Sequence, residues 1–354
     1  MQNIIESGRT YIQTKKEGWV QNNPNWSKKI FPDTFDNILL RGKETPSTID
    51  RYAFVDQDGK LTPIVGRLLE RLKIKNDGTL ESAVKGTQDR FYPKNDEGVR
   101  KKERWKKKDY KPKLKPKLIP FFEKFGMVGE INSVGTEFDD DLTLGAAMPA
   151  VEKRIAFQIK SHEKGVRSKK ISLLGGNRPM NHPKETKEEF LRTHNTIFPV
   201  RKGWQPPEKL PENESKMMEF VADKYGLSEV LGKKEISLID APMKPDKHGN
   251  LTIRPNTEDT VNKWGEENPE AVNVRIVSSQ PHVYRQFLTV ERTFHENKRE
   301  HIKLQAAGPA ADPKERNIIY IETFTQILFE EQKRQERKTK SQPQTLIYSA
   351  GADL

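Results

Sequence analysis

The residues with the chemistry to hold a charged ligand fall in four short stretches. The first is Ile171-Ser-Leu-Leu-Gly-Gly-Asn-Arg-Pro-Met180. An aliphatic run of this length bounded by turn residues predicts a buried strand. Gly175 and Gly176 at its carboxyl end permit a sharp turn and leave room for something to approach the backbone. Arg178 carries a planar fork suited to phosphate or carboxylate. Alone, this stretch reads first as an ordinary strand-to-loop turn with a solvated arginine; it gains weight only from three similar stretches. Asp141 to Ala147 predicts a strand with Gly145 near its end, and Glu235 to Pro242 one that closes on Asp240. Val272 to Ser279 predicts a fourth, running through Ser278, Ser279, Gln280 and His282 to Arg285. If these strands are parallel, their carboxyl ends converge, and in open α/β sheets that is where ligands bind.

Two predicted helix starts join the same rim. Asn213 is the expected cap of a helix opening at Glu214, and Thr257, Glu258 and Asp259 open another. Free N–H groups at helix starts attract anions. Arg178, His282 and Arg285 supply donors for phosphate or carboxylate. The acids Glu214, Asp240, Glu258 and Asp259 suit a hydroxyl, an amine or a divalent cation. Each residue also has a plainer use: Glu258 and Asp259 complement a helix dipole, and His282 fills a loop. Ser278 and Ser279 beside His282 resemble a nucleophile and base, without a spacing that demands it. Several chemistries lack their pattern: no phosphate loop ending in Gly-Lys-Ser/Thr, no full Gly-x-Gly-x-x-Gly turn, no Gly-x-Ser-x-Gly elbow and no His-Glu-x-x-His helix.

The elements that must position these residues alternate. Helical spacing is expected over Thr62–Lys73, Leu118–Gly126, Glu152–Lys164, Asn213–Gly226, Asn256–Trp264, the stretch after Arg285, and Ile318 to about Gln332. His301 to Gly308 is a candidate fifth strand. Strand and helix in turn, with connections long enough for right-handed crossovers, predict a mostly parallel sheet covered on both faces. The strands ending near Gly145, Gly175, Asp240 and Ser279 are expected to be parallel neighbours. Residues 178–211 form a long excursion rich in His, Pro, Lys and Thr.

The chain has 354 residues, 33% hydrophobic and 32% charged, lean for one compact globule. It has no cysteine, which excludes disulfides, thiolate metal sites and a cysteine nucleophile. No apolar run is long enough to span a bilayer, and the first residues lack signal-peptide order. The expectation is a soluble, cytoplasmic protein, with export by a non-classical signal outside the reach of this reading. The net charge is +12, and residues 99–117 hold eleven basic against two acidic side chains, nine of those twelve charges. Trp105 and Tyr110 are interleaved there, and Pro112 and Pro116 forbid a continuous helix. Such a run is a solvated linker, or else a partner for nucleic acid or anionic lipid. The expected organisation is a 1–98 extension or small subdomain pinned by Trp19, Trp26, Phe31, Phe35 and Ile38–Leu40, a basic linker over 99–117, an α/β domain over 118–333, and a fraying polar tail over 334–354.

About residues 138–333 resemble the YdcF/SanA/ElyC-like family of Rossmann-like domains. The residues that carry the likeness are Leu144-Gly145-Ala146 at the first strand end, Arg154 in the next helix, Gly175-Gly176, Glu214-Ser-Lys-Met217, Thr257-Glu258-Asp259-Thr260, Ser278-Ser279 and His282-x-x-Arg285. Asp259 stands where Asn is usual, and the 178–211 segment is an insertion. The resemblance implies a Rossmann-like sheet and a nucleotide-like or phosphorylated ligand, S-adenosylmethionine among the candidates, without a defined reaction. The alternative is an interaction protein whose basic segment binds nucleic acid or anionic membrane, the α/β domain serving as scaffold.

Overall fold

The computed structural model describes residues 4–6, 9–11, 53–92 and 118–341, apart from 181, 195, 232–234 and 313–316. The aromatic cluster of residues 19–40, the basic segment 99–117 and the tail beyond 341 lie outside the described residues. The chain divides into two units, residues 1–46 and 47–354. In the first, β1 (Ile4–Glu6) and β2 (Arg9–Tyr11) pair antiparallel.

The second unit is built on five parallel strands. These are β3 (Glu137–Leu144), β4 (Arg167–Gly176), β5 (Glu235–Ala241), β8 (Asn273–Val277) and β9 (Lys303–Ala307), ordered β5-β4-β3-β8-β9. Numbered along the chain, that is 3-2-1-4-5, a Rossmann-like α/β sheet. The four strand ends expected to be neighbours are neighbours. The order reverses between β3 and β8, the place where open α/β sheets form their ligand crevice at the carboxyl ends of the strands. A short antiparallel hairpin, β6 (Lys244–Pro245) with β7 (Leu251–Ile253), projects after β5.

Helices cover both faces. On one lie α4 (Met148–Glu163) and α6 (Glu214–Lys224). Met148, Val151, Ile155 and Ile159 of α4 meet Met217, Met218 and Val221 of α6 over Ile171 and Leu173 of β4. Each such side chain removed from water contributes roughly 1.5–3 kcal/mol before entropy is counted. On the other face lie α8 (Thr257–Glu267) and α9 (Val283–Glu296). The excursion carries a short helix, α5 (Lys187–Leu191), and is no free loop: Phe190 and Trp204 pack edge-on against Phe220. A further short helix, α7 (Leu227–Leu231), follows α6.

Three boundaries differ from the expectation. The strand expected from Asp141 begins at Glu137, so Asp139, Asp140 and Asp141 lie inside it. Acids do not read as a buried strand, and here each accepts hydrogen bonds from other segments. Asp139 accepts from Lys169 and from the Val272 and Asn273 N–H groups. Asp140 accepts from Ser172 and Trp264 at 2.6 and 2.8 Å. Asp141 accepts from Arg275, Gln158 and His162. Second, α10 (Asn317–Ser341) runs past Gln332, into the segment expected to fray. Gln335 there donates to the Gly59 carbonyl at 2.8 Å. Third, α1 (Pro63–Arg71) and α2 (Leu80–Phe91) belong with the α/β unit. Phe54 stacks on Phe125, which follows α3 (Ile119–Lys124), and Phe122 stacks on Tyr320 of α10. No helix among the described residues is long and apolar enough to cross a membrane.

Candidate functional site

The crevice between β3 and β8 is spanned by Arg154. This residue sits in the second turn of α4 and is 1% exposed. Its Nη1 donates to the Leu144 carbonyl and, at 2.9 Å, to that of Gly145. Its Nε and Nη2 each lie 3.4 Å from Ser279 Oγ. The guanidinium thereby ties the loop after β3 to the loop after β8. Among the described residues no carboxylate lies within ion-pair distance of it. Burial, and then the charge of Arg285, pull its pKa down to about 9, with Glu214 opposing. A buried cation beside a second cation is electrostatically unfavourable, and an anion relieves it.

A second cluster sits at the ends of β3 and β4. Arg178 is 5% exposed and holds Glu185 through both terminal nitrogens, at 2.9 and 3.2 Å, with Glu214 at 3.6 Å. Glu185 also accepts the His182 N–H at 2.9 Å and the Met148 N–H, the first of α4, at 3.4 Å. Burial pushes the Glu185 carboxyl up, and Arg178 outweighs this, holding it below the usual range. For Arg178 burial acts downward, and Glu185 and Glu214 raise it overall. Glu214 is raised by burial, opposed by Arg178, Arg254 and Arg154.

The remaining expected residues take other places. The space beside the paired glycines is filled by the chain itself. A Cβ on Gly175 would lie 2.5 Å from Ser215 Cα, and one on Gly176 2.3 Å from Pro255 Cγ. These glycines let α6 and the segment before α8 approach the sheet. Gly145 is as tight, its added Cβ 2.7 Å from the Leu174 carbonyl oxygen and 3.1 Å from the Glu214 carboxyl. Asp240 accepts from Ser215 Oγ at 2.8 Å on the edge strand β5, two strands away from β3. Asp259 completes a capping box with Asn256 and pairs with Lys244; Glu258 pairs with Arg292. Thr257 offers its carbonyl to the Thr260 hydroxyl. These α8 residues serve the helix start and its ion pairs. Gln280 spends its amide on the Gly126 and Gly129 carbonyls, tying α3 to the sheet.

Ser278, Ser279, His282 and Arg285 stay with the crevice. Ser278 is fully buried, and its hydroxyl has no hydrogen-bond partner among the described residues. His282 is half-buried, with Nδ1 2.8 Å from the Thr323 hydroxyl of α10. That hydroxyl sits 2.7 Å from the Ile319 carbonyl and donates there.

Glu185 and Arg254 carried no sequence signal, because each reaches the site from an irregular segment. Arg154 was visible through the family resemblance only. A cavity of about 100 Å³ lies elsewhere, between α8 and α9, lined by residues including Asn262, Glu266, Asn297 and Arg299. Among the described residues no cluster of three or more His, Asp or Glu side chains is arranged to hold a metal ion. Comparison of the chain with protein families, with curated proteins and with solved structures found no match.

Proposed function

We propose that the protein binds an anionic small molecule, nucleotide-like or phosphorylated, at the crevice where the sheet reverses its order. Arg154 carries this reading. It is a buried guanidinium with no carboxylate within ion-pair distance among the described residues, placed beside Arg285 at the position where open α/β sheets receive ligands. Ser278 and Ser279 lie at the same strand end. His282 follows them on the same loop, with Nδ1 at 2.8 Å from the Thr323 hydroxyl. The motifs that resemble the YdcF/SanA/ElyC-like family support a ligand of this class, and we place the protein in the cytoplasm. It leaves the glycine pair as packing residues.

A thermal-shift panel of nucleotides, S-adenosyl compounds and sugar phosphates tests it. A ligand at about 100 times its dissociation constant stabilises the fold by roughly 2.7 kcal/mol. The shift is expected to vanish in Arg285→Ala and to weaken in His282→Ala. A hit that survives both at full strength places the site elsewhere. If no anionic compound shifts the transition, the second reading takes over: residues 99–117 as the contact to nucleic acid or anionic membrane, resting on their charge alone.

A further inference from the structure

The anion position at the first strand–helix turn is already occupied, and the occupant is Glu185. This turn links β3 to α4, and in a Rossmann-like sheet the amino end of that helix is where a ligand's phosphate sits. Here Glu185 receives four donors: Nη1 and Nη2 of Arg178, the His182 N–H and the Met148 N–H. Paired guanidinium hydrogens with added backbone N–H groups are the set that a carboxylate or phosphate receives from a binding site. The Glu185 side chain is 0% exposed and that of Arg178 7%. The carboxylate comes from the 178–211 segment, outside the strand–helix alternation that builds the sheet. The Arg178 fork is thus a preformed, buried anion site with a resident anion.

We propose that Glu185 is a specificity-determining residue, a built-in anion that closes the α4 end of the crevice to phosphate. Resting on the reading above, it confines the ligand's anionic group to the Arg154–Arg285 end. It therefore selects ligands with one anionic group over those with a diphosphate spanning both ends. Neutralising or removing Glu185 frees the two positions it takes on the Arg178 fork, with Glu214 left as the more distant carboxylate at 3.6 Å, and an incoming phosphate can take them.

The experiment is titration of inorganic phosphate by isothermal calorimetry into wild type, Glu185→Ala, Glu185→Gln and the double variant Glu185→Ala/Arg178→Ala. The expected result is binding at least about tenfold tighter in Glu185→Ala than in wild type, with the gain abolished in the double variant. Circular dichroism reports folding, and if Glu185→Ala does not fold, Glu185→Gln carries the comparison. Equal affinity in wild type and the folded Glu185 variant overturns the proposal, as does a gain that persists without Arg178. Neither result depends on Arg285, whose substitution reports on the Arg154 end alone, so the two readings fail separately.

Discussion

Asp140 and Asp141 are neighbours on β3, yet they face opposite sides of the sheet, because strand side chains alternate. Asp141 lies under α4, fully buried. Burial pushes its carboxyl up, and Arg275 with His162 outweighs this and holds it low. Arg275 is 1% exposed, so removing it strands a buried carboxylate. We expect Arg275→Met to cost about 3–5 kcal/mol in urea unfolding, and Asp141→Leu/Arg275→Met to recover much of the loss. Additive single and double losses would contradict that pairing. Asp140 faces α8 without a cation in contact, and burial raises its pKa to about 6 against the hydrogen bonds of Ser172 and Trp264. A carboxyl that holds its proton more tightly when folded favours folding while protonated. That contribution is complete below about pH 4 and is lost as pH rises through about 6, on the order of 3 kcal/mol in all. Asp140→Asn keeps an acceptor oxygen for both donors and does not titrate. The stability difference between variant and wild type should grow in the variant's favour from pH 4 to pH 7. Parallel stability curves would show that Asp140 does not titrate in this range.

At the scale of elements, two glycines of opposite kind separate space from conformation. Gly175 lies on β4, where any residue fits the backbone, but Ser215 leaves no room for a Cβ. Gly175→Ala should destabilise by about 1–3 kcal/mol through displacement of the α6 amino end. Gly66 lies within α1 with nothing within 4 Å of an added Cβ. Gly66→Ala should stabilise by up to about 1 kcal/mol through helix propensity. Denaturant midpoints of the two variants should therefore move in opposite directions. The capping of α8 shows how an element start absorbs polar residues that read as ligand contacts. Asn256, Glu258 and Asp259 form the pattern a helix start requires, and the cap and its ion pairs take up both acids.

Across the whole molecule, the segment before the sheet and the last helix close one side of the α/β unit together. Phe54 is fully buried, stacked on Phe125 with ring centres 4.5 Å apart and tilted against Tyr284 and Phe324. Phe54→Ala should cost about 3–5 kcal/mol in chemical denaturation, although the residue lies far along the chain from the strands. A loss below about 1 kcal/mol would mean that residues 53–92 only drape on the unit.

Local pattern alone determined the strand–helix alternation, and with it the parallel sheet and the convergence of four strand ends. Aliphatic runs bounded by glycine, and helix caps such as Asn213 and Asn256, act over a few residues and are legible there. The tertiary structure decided what each polar residue at that rim does. Gly175 and Gly176 signal close approach, but only packing shows that Ser215 and Pro255 are what approaches. Arg178 signals an anion, but only the fold brings in Glu185 to supply it. Arg154 takes its character from burial beside Arg285, 131 positions along the chain, and burial is a property of the assembled crevice. The start of β3 was illegible for the same reason: three consecutive acids enter a sheet only where lysine, arginine, tryptophan and backbone N–H groups from distant segments compensate them.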